Sequence, residues 1–337
     1  MMNLAIEEAI IRAVLEEKVE DTIRFWINPP CVIIGRYQIA MLNCNIEYCK
    51  KNNIEIVRRE SSGGAVYQDE GNWNHSIFVK NPERFVKDPN KVYEIFSSLM
   101  VDTLQNLGIP ATFSPPNDIL LNNKKISGAA QFELYDAFLH HATLLVKTDL
   151  QNLAKSLIIP KEKLVDKEIN SILERVTTIE KEGYSIDSIN SLARAYSETI
   201  EKQWNVSVEL SNLTSFEKRL AEDLYKLKYK TSEWNIDLIL PESKLFWLNY
   251  KIPTGLLQIG VELSEDGKIN EIIFTGDLSI KNFEIFNIIR EKLLFVPLKK
   301  EELFKKLNEI DLSPYGVSTR ELVETIVNAL DNRFSLE

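Results

Sequence analysis

Residues 57–79 constrain the fold of this chain most, because they place a glycine-containing turn between an apolar segment and an alternating run. The apolar residues 54–57 lead directly into Arg58 and Arg59, and Gly63 and Gly64 follow. Glycine accepts backbone conformations that other residues avoid and lets the chain approach a ligand closely. Beside two guanidinium groups, such a turn favours a site for phosphate or carboxylate. A plain hairpin turn fits the same residues, and both interpretations stay open at this point.

A second polar block lies in residues 117–143. It contains Asn117-Asp118-Ile-Leu-Leu, an Asn122-Asn123 turn, Lys124-Lys125-Ile-Ser-Gly-Ala-Ala-Gln and, later, Leu139-His140-His141-Ala-Thr. The two blocks in this order resemble the lipoate-protein ligase family. The resemblance begins at Asn3-Leu-Ala-Ile-Glu-Glu-Ala, includes Cys31-Val-Ile-Ile-Gly-Arg-Tyr-Gln, and reaches Ser232-Glu-Trp-Asn. Beyond that point it is faint.

The residue pattern and the resemblance indicate the same fold class. Amphipathic helices interleaved with short strands and hairpins indicate an α+β fold with a mixed or antiparallel sheet and helices on one face. The resemblance implies a biotin/lipoate ligase catalytic domain, similar to class II aminoacyl-tRNA synthetases, over residues 1–235. A strand block followed by helices indicates a small α+β C-terminal accessory domain over residues 236–337.

Composition limits the kinds of partner that we expect. The net charge of −10 over 337 residues argues against nucleic-acid binding, because no basic region is present to neutralise phosphates. No apolar run approaches the roughly 18 residues of a membrane span, and the N-terminal segment is acidic and amphipathic. We therefore expect a cytoplasmic protein without membrane contact. The odd number of cysteines, Cys31, Cys44 and Cys49, indicates reduced thiols, with Cys31 in the core.

The resemblance implies a two-step reaction. Lipoate and ATP form lipoyl-AMP with loss of pyrophosphate, and a lysine of an acceptor protein then takes the lipoyl group. Lipoate is the substrate, and ATP with Mg²⁺ completes the set of small molecules. The implied acceptors are lipoyl-domain proteins, such as acyltransferase subunits of 2-oxoacid dehydrogenases, the glycine cleavage H protein or a related carrier. Attack of a carboxylate on a phosphate requires cations and N–H donors where negative charge accumulates.

Lys125 matches the central lysine of the family, which contacts both the lipoyl carbonyl and the adenylate phosphate. Arg59 matches the arginine that holds the nucleotide phosphates. Asp118 is a reasonable Mg²⁺ ligand, since magnesium prefers carboxylate and phosphate oxygens, although an Asn-Asp turn explains it equally well. Ser61 either donates to phosphate or satisfies its own turn. The complete ATP or adenylate set is Arg59, Ser61, Gly63, Gly64, Ala65, Val66, Tyr67, Asn72 and Lys125.

Lipoate itself is expected to contact Lys125, His141 and Trp73. Its aliphatic tail needs a long apolar slot, for which Trp26, Val32, Ile34, Ala65, Val66, Trp73 and Leu139 are candidate walls or ordinary core residues. His75 shares a strand face with apolar residues and is expected to be a core histidine that hydrogen-bonds the backbone. Because adjacent histidines point to opposite strand faces, we expect no zinc site at His140 and His141. Arg58 also points away from Arg59, so it is either a surface charge or a second phosphate contact.

Four positions depart from the family pattern. Ser62 replaces the first of three glycines, Gln68 a histidine, Phe132 a common basic residue, and Ala142 a glycine. The loss of a glycine restricts the loop, and the loss of a basic residue weakens a phosphate contact. A paralogue with a different acceptor or acyl group therefore stays open.

Two other functions remain as alternatives. An octanoyl or lipoyl transferase would need a nucleophilic thiolate beside the lysine loop, whereas Phe113-Ser-Pro-Pro precedes Asn117 and contains no cysteine. A non-catalytic protein that binds lipoyl domains is the second alternative, in view of the four departures. A biotin ligase is disfavoured because its basic glycine-arginine loop is absent.

Overall fold

A computed structural model describes residues 1–88, 91–158, 169–236, 245–278, 280 and 282–334. The chain divides into two compact units. The first contains Met1–Ile34, Ala40–Ser61 and Ala65–Ile236, and the second contains Gly35–Ile39, Ser62–Gly64 and Asp237–Glu337. Two short loops from the first part of the sequence thus group with the second unit. The predicted catalytic role of residues 1–235 and accessory role of residues 236–337 stay predictions.

The first unit is built on a six-stranded sheet in the order β1-β5-β9-β8-β7-β6, with every neighbouring pair antiparallel. Its strands are β1 (Thr22–Ile27), β5 (Asn72–Lys80), β6 (Thr112–Ser114), β7 (Asp118–Leu121), β8 (Lys124–Leu134) and β9 (Ala137–Leu145). These strands coincide closely with the alternating runs in the sequence. The sheet therefore brings the two polar blocks onto neighbouring strands.

Helices cover both faces of this sheet, so the expectation of helices on one face is wrong. Helix α1 (Met2–Leu15) packs through Ile10, Ile11 and Val14 against Phe78 and Leu139. On the opposite face, α4 (Val92–Asn106) and α7 (Ile189–Trp204) contribute to the main core of the unit. Alternate residues of one strand thus enter two different cores, since side chains alternate across a strand.

A smaller mixed sheet lies within the same unit. It is formed by β2 (Cys31–Ile34), β3 (Glu55–Arg58) and β4 (Val66–Gln68), with β2 parallel to β3 and antiparallel to β4. The sequence correctly indicated strands on both sides of Pro29-Pro30, but those strands, β1 and β2, belong to different sheets. Strand β3 ends at Arg58, so it delivers Arg59 directly to the following loop.

The other helices of the first unit begin at polar caps or follow short turns. Asn45, Asp149, Ser188 and Thr214 each accept a hydrogen bond from a backbone N–H of the first turn, which satisfies donors that the helix itself leaves unpaired. These helices are α2 (Ala40–Asn43), α3 (Ile46–Lys51), α5 (Leu150–Ser156), α6 (Ile169–Arg175), α8 (Ser215–Leu224) with a π-helical turn at Tyr225–Tyr229, and α9 (Ser232–Asn235).

The second unit has its own antiparallel sheet and core. The sheet is formed by β10 (Phe246–Ile252), β11 (Gly255–Leu263) and β12 (Ile269–Gly276), followed by α10 (Glu284–Leu293), α11 (Lys300–Leu307) and α12 (Thr319–Phe334). Tyr37 of the Gly35–Ile39 loop stacks on Phe283 with ring centroids 4.0 Å apart, and its carbonyl oxygen accepts from Gly276 N at 3.1 Å. The sequence pattern predicts a strand from Lys244 to Ile252 and a helix near Lys281 to Leu294, and Lys244 and Lys281 themselves lie outside the described residues.

The antiparallel and mixed sheets, together with the flanking helices, confirm the predicted α+β class. Within the ranges that the structure describes, we find no helix with the length and apolar character needed to cross a membrane.

Candidate functional site

Lys125 and Asp118 form an ion pair on the sheet of the first unit. The Lys125 Nζ atom lies 2.6 Å from Asp118 Oδ1, with the two side chains 39% and 30% exposed. The ammonium group is therefore fixed in direction while it stays accessible to a ligand. The sequence predicted a catalytic role for one residue and a metal role for the other, and the structure makes them direct partners.

Local backbone features aim these two side chains at each other. Asn122 and Asn123 both adopt positive φ angles, of 52° and 62°, in the turn between β7 and β8, where asparagine is tolerated. A register shift between Ile119 and Leu120 then alters the pairing beside Lys125. The Lys125 carbonyl accepts from Thr177 N at 3.0 Å, so its backbone is held from outside the hairpin.

Gly128 provides the space that the Lys125 side chain occupies. A Cβ atom at this position would lie 2.8 Å from Lys125 Nζ and 3.5 Å from Asp118 Oδ1. Real Cβ contacts are not that short, so any larger residue would displace the ammonium group. This explains why a lysine at 125 and a glycine at 128 occur together on this strand.

A second polar group contains Ser61, His141 and Glu7. Ser61 Oγ lies 2.7 Å from His141 Nε2, and His141 Nδ1 lies 3.1 Å from Glu7 Oε1. All three side chains are buried. Together they form a carboxylate–imidazole–hydroxyl series, which we call the relay. The predicted site residues Ser61 and His141 are thus brought together, and Glu7 is an addition.

The relay continues away from Ser61 into the sheet. Ser76 Oγ donates to Glu7 Oε1 at 2.5 Å, and Trp26 Nε1 donates to Ser76 Oγ at 2.9 Å. Burial alone would raise the pKa of Glu7, but His141, Ser76 and Arg24 outweigh it and hold that pKa below its ordinary value. Glu7 is therefore an ionised acceptor, which requires that His141 carry a proton on Nδ1.

Arg59 joins the other end of the relay. Its Nε atom donates to Ser61 Oγ at 2.9 Å, and its Nη1 atom donates to Ile33 O at 3.2 Å. The side chain is buried, and desolvation lowers the pKa of Arg59 to about 10. The guanidinium group still carries its charge at neutral pH, so it offers a fixed cation beside Ser61.

Arg58 has a structural role in this arrangement, and its interpretation as a surface charge is wrong. It is 2% exposed, and its Nε atom donates to Trp234 O at 2.7 Å. Arg58 N donates to Asn235 Oδ1 at 2.9 Å, and Trp234 Nε1 donates back to Arg58 O at 2.9 Å. The Ser232-Glu-Trp-Asn motif therefore anchors the end of β3 and fixes where Arg59 leaves it.

A small pocket, of about 10 Å³, lies between α1 and the relay. Both apolar and charged or polar side chains line it. Its lining residues are Leu4, Glu7, Glu8, Ile11, Arg59, Glu60, Ser61, Phe132, Leu139, His141 and Tyr229. The pocket therefore brings apolar and polar side chains together around a volume of about one water molecule.

Strand register shows which residues share the sheet face of this pocket. His141 is opposite Ser76 on one side and Ala130 on the other, and Gly128, two residues before Ala130, is opposite Asp118. Because side chains alternate, these positions face the same side of the sheet. The ion pair and the relay thus lie on one face.

Trp73, His75 and His140 point to the opposite face. Trp73 packs in the core with α4 and α7, so the structure does not bring it to His141. His75 is buried, which confirms the expected core histidine, and its Nε2 atom has no hydrogen-bond partner among the described residues. His75 instead packs against Tyr196, with ring centroids 5.1 Å apart. Desolvation lowers the pKa of His75 to about 3 and also lowers that of His140, so both rings are neutral.

Asn72 lies at the start of β5 in a buried network of side-chain amides. Its Nδ2 atom donates to Asn74 Oδ1 at 3.0 Å, and Gln68 Nε2 donates to the same oxygen at 2.8 Å. Asn72 Oδ1 has no hydrogen-bond partner within the described part of the chain, and the residue is fully buried. Gln68, one of the four departures, is fully used in this network, since Asn28 also donates to it at 2.8 Å.

The remaining predicted residues follow Ser61 along the chain. Gly63 has a positive φ of 93° and belongs with Gly64 and Ser62 to the second unit. Gly35, in the same unit, allows close backbone approach, because a Cβ atom there would lie 2.1 Å from Gly63 O. Ala65, Val66 and Tyr67 belong to the first unit, where the Tyr67 side chain is buried in a core cluster. The Tyr67 side chain is therefore not accessible to a ligand.

The sequence patterns did not predict which charged residues line the pocket. Lys228 Nζ lies 2.6 Å from Glu8 Oε2 and also forms an ion pair with Glu60. Glu8 is 5% exposed, although its place in an amphipathic helix suggested a solvated acid. The Asn-Leu-Ala-Ile-Glu-Glu segment at the start of the resemblance was the available signal for both Glu7 and Glu8.

Metal and thiol chemistry have limited support from the residues described. Among them, no group of three or more His, Cys, Asp or Glu side chains is arranged to hold a metal ion. Asp118 alone would need phosphate oxygens from a substrate to complete a magnesium site. Cys31, Cys44 and Cys49 are buried, and desolvation raises the pKa of Cys31 and Cys44 to about 12 and also raises that of Cys49. None of these thiols is suited to be a nucleophile.

Comparison with known proteins identifies the family. The model of the lipoyl protein ligase A/B catalytic domain matches residues 1–201. Lipoate-protein ligase A subunit 1 of Thermoplasma acidophilum is 35% identical over 72% of this chain and 94% of its own length. The lipoate-protein ligase LplJ of Bacillus subtilis is 30% identical over 82% of this chain and 81% of its own length. The octanoyltransferase LipM of Brevibacillus brevis is 27% identical over 70% of this chain and 94% of its own length.

Solved structures give the same result. An archaeal bi-partite lipoate protein ligase from T. acidophilum, studied with its E2 lipoyl domain, has a TM-score of 0.62 at 33% identity, covering 72% of this chain and 93% of that one. A lipoate-protein ligase A bound with ATP has a TM-score of 0.60, and a T. acidophilum protein with bound lipoic acid has 0.58. Both are 30% identical and cover 71% of this chain and 94% of their own. The chain therefore belongs to the lipoyl protein ligase A/B catalytic-domain family and is an enzyme of the lipoate-protein ligase class.

Proposed function

We propose that this enzyme uses ATP to activate lipoate as lipoyl-AMP and then transfers the lipoyl group to a lysine of a lipoyl-domain protein. The observation that carries the proposal is one sheet face that holds three elements in the first unit. These are the Lys125–Asp118 ion pair, the relay with Arg59, and a pocket with an apolar wall. These side chains have the chemistry that an aliphatic chain and a carboxylate require.

The relatives support each part of that reaction. Among the solved structures, one protein binds lipoic acid, another lipoate-protein ligase binds ATP, and a third was studied with an E2 lipoyl domain. A lipoyl domain is therefore the class of acceptor that we propose here. Residues 1–235 would carry the chemistry and residues 236–337 would serve as an accessory domain.

The proposed first step joins two negatively charged groups. A carboxylate oxygen of lipoate attacks the α-phosphorus of ATP, and the bond to pyrophosphate breaks with its electron pair leaving on pyrophosphate. Lys125 would balance charge at the new acyl-phosphate linkage, and Arg59 would balance charge on the nucleotide phosphates. We propose Mg²⁺ at Asp118, together with phosphate oxygens of ATP. Ser61, Asn72 and the backbone of residues 63–67 complete the proposed nucleotide contacts.

The proposed second step consumes the anhydride. The ε-amine of the acceptor lysine attacks the lipoyl carbonyl carbon, the carbon–oxygen bond to AMP breaks, and the amine loses a proton. Lys125 would polarise the carbonyl that is attacked. The pocket would hold the lipoyl tail against Leu139, Phe132 and Ile11, with His141 at the polar end. Phe132, the departure from a basic residue, thus adds apolar surface to the acyl site.

An octanoyltransferase is the second candidate, because LipM is among the relatives. Such a transferase would need a reactive thiolate, and the pKa values of Cys31, Cys44 and Cys49 are all raised by burial. The cysteines therefore favour the ligase over a transferase that depends on cysteine.

Lipoate-dependent exchange of pyrophosphate with ATP separates these functions, because it reports adenylate formation without any acceptor. The wild-type chain should catalyse the exchange, and Lys125→Ala should lower its rate by at least about 100-fold. Lys124→Ala is the matched control, since it removes the neighbouring charge but leaves the ion pair. An exchange rate in Lys125→Ala equal to that of the wild type would remove Lys125 from the site. No exchange in the wild type would remove the ligase proposal.

A further inference from the structure

Lys228 lies in the π-helical turn at Tyr225–Tyr229 and contacts two carboxylates of the pocket wall. Its Nζ atom lies 2.6 Å from Glu8 Oε2 and also donates to Glu60 Oε1. The side chains of Lys228, Glu8 and Glu60 are 20%, 4% and 18% exposed. Both carboxylates line the pocket together with Arg59. One ammonium group is therefore shared by two acids at a place where little solvent screens their charge.

Two aromatic rings hold the ammonium group of Lys228 in place. The Nζ atom lies 4.2 Å from the centroid of the Trp234 ring and 5.1 Å from that of the Tyr229 ring, distances at which an aromatic ring attracts a cation. The Tyr229 hydroxyl donates to Glu8 Oε2 at 2.8 Å, which is the oxygen that Lys228 contacts. Trp234 also binds Arg58 through its indole N–H and its carbonyl oxygen. Lys228 is therefore part of the packed structure that holds the end of β3.

Glu60 lies between the two residues that we propose to hold the nucleotide phosphates. Arg59 and Ser61 flank it in the chain, and Arg59 Nε donates to Ser61 Oγ. A phosphate that binds these two side chains comes close to the carboxylates of Glu60 and Glu8, which line the same wall. Like charges repel strongly where little water separates them. The acids of this wall therefore oppose phosphate binding unless a cation neutralises them.

The ion pairs show which acid depends most on Lys228. Burial alone would raise the pKa of Glu8, but the hydrogen bonds and charges of Lys228 and Arg12 outweigh it and hold that pKa below its ordinary value. Glu8 keeps Arg12 as a second cation at 2.7 Å when Lys228 is removed. Glu60 then loses an ion pair one residue away from Arg59. The effect on a bound phosphate should therefore come mainly through Glu60.

We propose that Lys228 is a positioning residue for adenylate formation, which neutralises Glu60 and Glu8 so that the phosphates of ATP can bind at Arg59 and Ser61. In this role it acts through the two carboxylates and not on the substrate itself. The inference rests on the proposed function, because it takes Arg59 and Ser61 as phosphate contacts. It adds a lysine from the end of the first unit to the residues on which ATP affinity depends.

The test is the KM for ATP in lipoate-dependent pyrophosphate exchange by the full chain, at saturating lipoate. In Lys228→Met, the negative charge of Glu60 should raise the KM for ATP by about tenfold, while kcat stays within about threefold of the wild type. Lys80→Met is the matched control, because Lys80 is 23% exposed and also pairs with two carboxylates, those of Glu17 and Asp136. It lies at the end of β5, and its loss should leave the KM for ATP unchanged.

The decisive variant combines Lys228→Met with Glu60→Gln. A glutamine has no charge to repel phosphate, so the KM for ATP should return to within about threefold of the wild type although the lysine is still absent. A merely structural role of Lys228 would not be restored in this way, because the double variant lacks the same lysine contacts. Lys228→Arg keeps the positive charge and should also have a KM for ATP within about threefold of the wild type.

An unchanged KM for ATP in Lys228→Met would overturn the inference, as would a double variant no better than the single one or an equal rise in Lys80→Met. If Lys228→Met does not fold, Lys228→Gln takes its place, since a glutamine can still donate to Glu8 but carries no charge. The wild type separates the two levels of proposal. Exchange in the wild type with an unchanged KM in the variant overturns only the role of Lys228, whereas no exchange in the wild type overturns the ligase as well.

Discussion

The Nζ atom of Lys125 lies 2.6 Å from Oδ1 of Asp118, across the antiparallel pair of β7 and β8. The pair is partly open to solvent, so its contribution to stability is small. Its main effect is to direct the ammonium group.

Replacement of Asp118 by Asn keeps the size of the side chain and removes its charge. We expect the rate of pyrophosphate exchange to fall by about tenfold, equivalent to about 1.4 kcal/mol of transition-state stabilisation. The thermal midpoint should change little.

The Asp118→Asn experiment also examines the proposed magnesium site. If Asp118 serves only to orient Lys125, the Mg²⁺ concentration at half-maximal exchange should match that of the wild type. If it ligates the ion, that concentration should rise. Unchanged exchange at every Mg²⁺ concentration would exclude both roles.

The lack of a side chain at Gly128 leads to a prediction, because the Lys125 side chain occupies the space beside it. In Gly128→Ala, the new Cβ would lie within 2.9 Å of both Nζ and Cε of Lys125, so the flexible lysine must move and the strand can stay. We expect exchange to fall by about tenfold, while the thermal midpoint stays within about 4 °C of the wild type. Ser127→Ala is the control, because its side chain points to the other sheet face. A Gly128→Ala variant with full activity would show that the ammonium position is unimportant.

Arg58 and Arg59 should behave differently although they are neighbours. Arg58→Met removes a donor to Trp234 O, which leaves a partly buried carbonyl with fewer partners, so the free energy of unfolding should fall by about 2 kcal/mol. Its KM for ATP should match that of the wild type. Arg59→Met should instead lower exchange by at least about 100-fold. Urea unfolding and the KM for ATP measure the two effects, and a raised KM in Arg58→Met at unchanged stability would reverse the assignment.

The lowered pKa of His75 predicts how the free energy of unfolding depends on pH. Its pKa is about 3 in the folded chain, against about 6.5 for an unfolded histidine. The stabilisation from keeping the ring neutral is therefore complete above about pH 6.5 and is lost as pH falls toward 3. Between about pH 6 and 4, this group should lower the free energy of unfolding by about 1.4 kcal/mol per pH unit.

His75→Leu removes this proton and keeps a ring-free apolar side chain against Tyr196. Urea unfolding at a series of pH values should show a shallower acid dependence than the wild type, with His140 still contributing its own part. An identical slope in the variant would show that His75 is protonated in the folded chain.

The sequence was most informative where a local pattern determines structure. The Asn122-Asn123 turn and the two flanking runs predicted a hairpin, and that hairpin is what pairs Lys125 with Asp118. Alternation also predicted that Arg58 and Arg59 point apart. It did not show that Arg58 is buried, because its partners Trp234 and Asn235 lie far along the chain.

Tertiary contacts account for what was missed. Glu7 has the pattern of a solvated helix acid, and only the packing of α1 on β5 and β9 places it beside His141. Trp73 was a candidate wall of the apolar slot for lipoate or an ordinary core residue, and it packs in the core with α4. A strand pattern gives two faces and does not say which one borders a pocket.

The loop of Tyr37 bears on how this protein can be divided. Although it comes early in the chain, its ring stacks on Phe283 and its carbonyl accepts from Gly276. Cutting the polypeptide after residue 236 would therefore separate the Tyr37 ring from the surface on which it packs. A gene split at that point would place Tyr37 and its packing surface in two products, which would have to reassemble to restore that contact.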